Sequence, residues 1–121
     1  MAVIVLVEDT PANRALATKL LTAAGHEVIS ASTGADGVRL VADRSPDLVL
    51  MDLGLPDIDG REALREIRNG EGGGPGVKVV AFTAHAMVGD RERAMAAGFE
   101  GYLSKPIDFA TFARSVEALL P

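Results

Sequence analysis

Polar side chains follow four of the short apolar runs in this sequence of 121 residues. Glu8 and Asp9 follow the first run, Asp52 follows a later one, and Thr83 and Lys105 follow two more. Carboxylates gathered in one cleft repel one another, and a hard cation with oxygen ligands such as Mg²⁺ relieves that cost. With a lysine and a hydroxyl beside them they could receive a phosphoryl group, for which Asp52 is the natural nucleophile.

The elements that must position these side chains are short strands alternating with amphipathic helices. Strands are predicted at residues 3–7, 28–29, 48–51, 77–82 and 102–103. Several of these runs are apolar without alternation, which is typical of parallel strands covered on both faces. Helices are predicted from Thr10 and Pro11 to Gly25, at 35–43, 60–69 and 87–97, and over a last stretch that has Asp108 near its start.

Capping and core positions are predicted for the first and last helices. Thr10 can cap the first helix, and Pro11 fits its first turn. The last helix carries apolar residues at helical spacing, which predicts that they pack in the core: Phe109, Phe112, Val116, Leu119 and Leu120.

The alternation of strands and helices predicts an α/β fold of the doubly wound type. It implies a parallel sheet with right-handed crossovers and helices on both faces. In such sheets ligands bind at the carboxyl ends of the strands, where the strand order reverses. Only small neutral residues follow the second strand, so we expect a site formed by strands one, three, four and five, with strand two at an edge.

Composition excludes several classes of protein. The chain has no cysteine and two histidines, which removes disulfides, thiolate metal sites and histidine-rich metal sites. A net charge of −5 argues against a domain built to hold nucleic acid. No apolar run approaches the ~18 residues of a membrane span. The glycine-rich patch at 70–76 follows a helix, so it is predicted to be a flexible loop and not a phosphate-binding loop.

Several stretches resemble the receiver domains of two-component response regulators, and the resemblance covers essentially the whole chain. They are Val7-Glu8-Asp9, the run PDLVLMDLGLP at 46–56 with Asp59-Gly60, the run AFTA at 81–84, and the run GFEGYLSKP at 98–106. The resemblance implies one receiver domain over residues 1–121, with the flavodoxin-like five-stranded sheet in the order 2-1-3-4-5.

The resemblance also implies roles for the acidic residues. Asp52 matches the phosphoacceptor. Glu8 and Asp9 match the acidic pair that holds Mg²⁺, together with Asp52 and the backbone carbonyl of Gly54. The first acid is Glu where Asp is commoner, a change that many family members tolerate. A glycine at position 54 leaves the approach of water open, so no unusually long-lived phosphate is predicted.

Further roles fall on the later strands. Lys105 matches the lysine that pairs with the phosphoryl group, and the Lys105–Pro106 bond is expected to be cis. Thr83 matches the hydroxyl that moves toward the phosphate, and Tyr102 the switch aromatic that turns inward when it does. His85 lies at a variable position that can orient or hinder water.

The implied partners are proteins. The donor would be a phosphohistidine on a sensor histidine kinase or a histidine phosphotransfer protein. The face of the fourth helix, fifth strand and fifth helix would bind a downstream effector protein, with no direct nucleic acid contact and no membrane insertion. We expect a cytoplasmic domain, either stand-alone or excised from a hybrid kinase or larger regulator, that catalyses only its own phosphorylation and dephosphorylation.

Other interpretations of the same residues stay open at this point. A Mg²⁺-dependent phosphohydrolase of haloacid-dehalogenase type also uses an aspartate at a strand end, but it resembles D-x-D, and Gly54 cannot donate a proton. A degenerate receiver would lack a phosphoacceptor or metal ligand, and none is missing. Asp57 and Asp59 are predicted to be turn and cap residues, and His26 is assigned no function.

The site residues also have purely structural interpretations. Asp52 could be a simple turn residue. Glu8 and Asp9 could be acids that simply favour the start of a helix. Thr83 could be no more than a cap for the fourth helix.

Overall fold

The computed structural model describes residues 2–70, 76–84 and 89–121, and within them five strands alternate with five helices. The predicted strands are confirmed, with their ends shifted by at most two residues. The elements are β1 Val3–Val7, α1 Pro11–Ala23, β2 Glu27–Ala31, α2 Gly34–Arg44, β3 Leu48–Met51, α3 Gly60–Asn69, β4 Lys78–Thr83, α4 Asp90–Ala97, β5 Gly101–Ser104 and α5 Phe112–Glu117.

The five strands form one sheet in the order β2-β1-β3-β4-β5, and every neighbouring pair is parallel. This confirms the predicted order and places β2 at an edge. The register aligns the carboxyl ends: Val7 is opposite both Ala31 and Met51, and Thr83 is opposite Ser104. Polar residues that follow these strands therefore meet at the carboxyl-terminal end of the sheet.

Two apolar cores lie on the two faces of the sheet. Strand residues alternate between them, so that Val5 and Val7 belong to one core while Ile4 and Leu6 belong to the other. The first core packs against α2, α3 and α4, and the second packs against α1 and α5. Because both faces are covered, the strands β1, β3 and β4 are apolar at successive positions, as the sequence predicted for several of the runs.

The start of α1 differs from its prediction. Thr10 is the N-cap residue and Pro11 is in the first turn, but the Thr10 side chain makes no capping hydrogen bond. Instead the Thr10 backbone N–H donates to Glu8 Oε2 at 3.0 Å. The predicted side-chain cap is therefore wrong, because the preceding carboxylate already holds the turn that enters the helix.

The last helix begins later than expected, at Phe112, after a turn in which Asp108 Oδ1 accepts the Ala110 N–H. Phe112 and Val116 are buried as predicted. Phe109 is 72% exposed, so its prediction as a core residue is wrong. It lies in the turn before the helix, where helical spacing no longer determines which face a side chain takes.

Some predictions fall outside the described residues. These are the start of the fourth helix at 87–88 and most of the glycine-rich patch, at 71–75. Within the described part of the chain, no helix has the length and apolar character needed to cross a membrane.

His26 has a structural role that the sequence did not indicate. Its ring is nearly buried, its Nδ1 accepts the Ala2 N–H at 3.1 Å, and its Nε2 lies 2.8 Å from Glu117 Oε2. With Nδ1 as the acceptor, the proton sits on Nε2 and is donated to Glu117. This links the start of β1 to α5 at the amino-terminal end of the sheet, opposite the end that carries the predicted site.

Candidate functional site

Backbone hydrogen bonds extend the sheet by one residue and fix where the acidic side chains begin. The Asp52 N–H donates to the Val7 carbonyl at 3.0 Å, and the Glu8 N–H donates to the Ala31 carbonyl at 3.0 Å. The first residue after β1 and the first residue after β3 therefore stay in register with the sheet. Their carboxylates enter the same cleft because β1 and β3 are neighbours.

The three predicted acidic residues meet in that cleft. Ligand oxygens of Glu8, Asp9 and Asp52 all lie within 4.8 Å of one another. Glu8 and Asp52 are buried, whereas Asp9 is half-buried. Carboxylate oxygens grouped at this spacing are the hard ligands that Mg²⁺ takes, and water can complete its shell on the exposed side. The residues present therefore fit a magnesium ion.

Lys105 brings a positive charge into the cleft. Its Nζ contacts Glu8 Oε1 and lies 3.4 Å from Asp52 Oδ2, and its side chain is only 10% exposed. The same Nζ lies 5.0 Å from the centre of the Phe82 ring, a favourable cation–π position. The Lys105 N–H donates to the Thr83 carbonyl at 2.9 Å, so β4 sets the place of the lysine.

The charge state of Glu8 reflects two opposing influences. Burial raises the pKa of the Glu8 carboxyl, whereas Lys105 and the Thr10 N–H favour its charged form. The nearby Asp52 carboxylate adds to the rise in the pKa. A buried carboxylate of this kind is stabilised by positive charge, which Lys105 supplies and a divalent cation would increase.

The loop between β3 and α3 holds Gly54 beside the phosphoacceptor candidate. The Gly54 N–H donates to Asp52 Oδ1 at 3.0 Å, and the Gly60 N–H donates to the Leu53 carbonyl at 3.3 Å. A Cβ atom added at Gly54 would meet, among the described residues, only Asp52 Oδ1, at 3.8 Å. Position 54 therefore places no side chain beside Asp52 Oδ1.

Thr83 and Tyr102 lie on the neighbouring strands β4 and β5. Thr83 is buried at the end of β4, beside a cavity of about 180 Å³ that Leu53 and Asp59 also line. Tyr102 is half-buried and packs against the core on the α4 side of the sheet. Burial and the nearby Asp90 carboxylate raise the pKa of the Tyr102 hydroxyl. The predicted position His85 lies outside the described residues.

Two contacts, one at the cleft and one at the start of α2, were not predicted. Arg14 Nη1 donates to the carbonyl of Glu8 at 2.9 Å and, more weakly, to that of Asp9 at 3.4 Å. Its place in the first turn of the predicted helix α1 was a usable signal, because such a side chain can reach back to the preceding loop. Asp57, predicted to be a turn residue, accepts two backbone N–H groups from α2. The sequence contained no signal for this contact across 23 residues.

The fold and the cleft define a class of protein. A doubly wound parallel sheet carries three acidic residues, a lysine and a threonine at the carboxyl ends of the strands β1, β3, β4 and β5. The Lys105–Pro106 bond is cis, which confirms the expectation from the motif. Such a protein is an α/β domain with a site suited to phosphoryl chemistry.

Comparison with known families identifies the class more closely. The model of the response regulator receiver domain matches residues 4–117, and the chain belongs to this family. It is therefore a phosphoacceptor signalling domain of the two-component type. This supports the predicted function and gives no support to the phosphohydrolase alternative.

Individual relatives agree with the family match. The polar-differentiation response regulator DivK of Brucella ovis is 36% identical over 117 residues, covering 97% of this chain and 94% of the relative. The receiver domain of sensor histidine kinase PA1611 from Pseudomonas aeruginosa PAO1, solved with magnesium coordinated in its active site cleft, is 38% identical with a TM-score of 0.85, covering 98% of this chain and 96% of that one. Chemotaxis protein CheY4 of Vibrio cholerae shares the fold, with a TM-score of 0.89, 22% identity and 99% of both chains covered.

Proposed function

We propose that Asp52 accepts a phosphoryl group from a phosphohistidine and that this modification changes the surface presented to a protein partner. A carboxylate oxygen of Asp52 attacks phosphorus, and the phosphorus–nitrogen bond of the donor breaks as the new phosphorus–oxygen bond forms. The imidazole nitrogen keeps the electron pair of the broken bond and takes up a proton from water. Lys105, 3.4 Å from Asp52 Oδ2, is placed to pair with the added negative charge.

Glu8, Asp9 and Asp52, with the carbonyl of Gly54, are the residues that would hold Mg²⁺. When bound, the ion would neutralise charge on the phosphoryl oxygens and on the carboxylates that surround them. Glu8 has a second role, because its ion pair with Lys105 keeps the ammonium group of the lysine beside Asp52.

One observation carries this proposal. The ligand oxygens of three carboxylates from two strand ends lie within 4.8 Å of one another, and Lys105 lies against two of these carboxylates. A turn residue or a helix-start acid has no need of such an arrangement. Burying several carboxylates together costs free energy. Such a cluster is expected at a site that binds a cation and a phosphoryl group.

Mapping the phosphoryl group tests the proposal. We expect acetyl phosphate and Mg²⁺ to form an acyl phosphate that borohydride reduces to homoserine, and peptide mass spectrometry should locate the homoserine at position 52. Omitting acetyl phosphate is the control, and position 52 should then remain aspartate. Homoserine at position 57 or 59 instead would overturn the assignment of Asp52.

We further propose that Thr83 and Tyr102 transmit the modification. Thr83 ends β4 beside the cavity next to the cleft, and Tyr102 lies on β5, the adjacent strand. Movement of the Thr83 hydroxyl toward a phosphoryl group would open space that an inward Tyr102 ring can fill. The face formed by α4, β5 and α5 would then differ between two states whose balance phosphorylation shifts.

The proposed partners follow from this scheme. The donor is a sensor histidine kinase or a histidine phosphotransfer protein, and the recipient of the signal is an effector protein that docks on the α4-β5-α5 face. The proposed location is the cytoplasm, as is general for receiver domains. Residues 1–121 would act as one receiver domain that catalyses only its own phosphorylation and dephosphorylation.

Beryllofluoride with Mg²⁺, which mimics the phosphoryl group, should change the NMR signals of the Thr83 methyl group and the Tyr102 ring. The reason is that both side chains are expected to change position when the cleft is filled. The His26 ring, at the opposite edge of the sheet, is an internal control and should keep its signals. Unchanged signals from Thr83 and Tyr102 in a protein that binds beryllofluoride would contradict the switch.

A further inference from the structure

Asp57 connects the loop between β3 and α3 to a different part of the fold. Its Oδ1 accepts the Gly34 N–H at 2.8 Å, and its Oδ2 accepts the Ala35 N–H at 3.0 Å. These are the first two N–H groups of α2, which have no partner within the helix. Both carboxylate oxygens are therefore used, and the loop is held at two points on a rigid element.

This contact is more than a substitute for a missing helix cap. Helix α2 has its own cap, because the Thr33 side chain accepts the Asp36 N–H at 3.2 Å. Asp57 reaches α2 from a loop more than 20 residues further along the chain. The pKa of the Asp57 carboxyl is held below its usual range by the N–H groups of Ala35 and Gly34, as expected for hydrogen bonds that favour the charged form.

Packing reinforces the contact. A Cβ atom at Gly34 would lie 2.5 Å from Ile58 Cγ1 and 3.3 Å from Leu55 Cδ1, so the start of α2 touches the loop directly. Leu55 and Ile58 are partly buried against the core under α2 and α3. The loop is thus seated on α2 by side chains on both sides of Asp57.

The loop also carries Gly54, which ties it to the reactive end of the cleft. The Gly54 N–H donates to Asp52 Oδ1 at 3.0 Å. Gly54 is also the residue whose carbonyl would join Glu8, Asp9 and Asp52 around Mg²⁺. A loop carbonyl binds a metal ion more tightly when its orientation is already fixed. Otherwise part of the binding free energy is lost in ordering the loop.

We propose that Asp57 is a positioning residue for the magnesium site: by holding the β3–α3 loop on the start of α2, it fixes the orientation of the Gly54 carbonyl. Asp57 itself contacts neither the cation nor the phosphoryl group. This inference rests on the proposed function, because it takes Gly54 to be a metal ligand. It assigns to an exposed side chain an effect on the affinity of a site that it does not touch.

The test compares Asp57→Ala, Asp57→Asn and Thr33→Ala with the unaltered chain, using isothermal titration with Mg²⁺ alone. Asp57→Ala is expected to raise the dissociation constant about tenfold, the lower end of the range for residues that orient metal ligands. Asp57→Asn should give a smaller rise, because its amide oxygen can accept one of the two N–H groups. Thr33→Ala removes a cap from the same helix without touching the loop and should leave the affinity unchanged.

A second readout needs no metal. Hydrogen exchange in the presence of a chelator should show faster exchange of the Gly54 N–H in Asp57→Ala, and not in Thr33→Ala, because only the first change releases the loop. Thermal unfolding of both variants checks that each is folded.

The outcomes separate the two proposals. If the unaltered chain binds no Mg²⁺ at millimolar concentration, the proposed metal site is wrong and the role of Asp57 is overturned with it. If the unaltered chain binds Mg²⁺ and Asp57→Ala binds it equally well, only the role of Asp57 is overturned. Equal losses of affinity in Asp57→Ala and Thr33→Ala would also overturn it, since they would indicate a general effect of loosening α2.

Discussion

Replacing Asp52 with Asn is expected to reduce phosphoryl incorporation from acetyl phosphate, or from a phosphorylated histidine kinase, to the background level. The amide lacks the anionic oxygen that attacks phosphorus, and neither of the neighbouring carboxylates among the described residues lies at the end of β3. Glu8 is fully buried and occupied by Lys105 and the Thr10 N–H. Asp9 follows β1, whereas Asp52 follows β3, so the two carboxylates enter the cleft from different strands. The measurement is radiolabel retained on the intact protein, followed over time.

Asp47, at the other end of the same strand, is a matched control. Asp47 directly precedes β3, whereas Asp52 directly follows it, and Asp47 Oδ2 accepts the Val3 N–H at 2.8 Å at the opposite edge of the sheet. Asp47→Asn should incorporate label like the unaltered chain. Persistent label on Asp52→Asn, with its fold intact by circular dichroism, would mean that a different residue is the acceptor.

The convergence of the site could be predicted because it follows from general properties of parallel sheets. The carboxyl ends of parallel strands all lie at the same end of the sheet, so Glu8 and Asp52 must meet if β1 and β3 are neighbours. That pairing was expected because only small neutral residues follow the second strand, and because the resemblance to receiver domains implies the order 2-1-3-4-5. The same reasoning placed Thr83 at the end of β4 and Lys105 just beyond β5, and the structure brings Lys105 to the two buried acids.

The contacts that could not be predicted join elements whose relative positions the sequence does not encode. Asp57 binds the start of α2, and His26 binds Glu117 from 91 residues away. Each side chain had a plausible local role as a turn residue, and local spacing cannot distinguish that role from a distant contact. Phe109 failed for the opposite reason, since a regular apolar spacing was extended past the first residue of the helix.

Removal of Mg²⁺ is expected to stop phosphoryl incorporation without unfolding the domain. The cleft carries three carboxylates against a single lysine among the described residues, so a dianionic phosphoryl donor meets a net negative site. The fold itself depends on two apolar cores, neither of which includes a residue of the acidic cluster. Chelation should therefore leave the circular dichroism spectrum unchanged while label falls to the background level, and added Mg²⁺ should restore it.

A variant assigns this dependence to the cleft. Asp9→Asn removes one anionic ligand from the half-buried side of the cluster and should raise the Mg²⁺ concentration required for half-maximal labelling by about tenfold or more. Asp43→Asn removes the same charge from an exposed position on α2 and should leave that concentration unchanged, which excludes an effect of net charge alone. Labelling that persists in excess chelator, or an Asp9→Asn variant with the unaltered Mg²⁺ requirement, would remove the acidic pair from the mechanism.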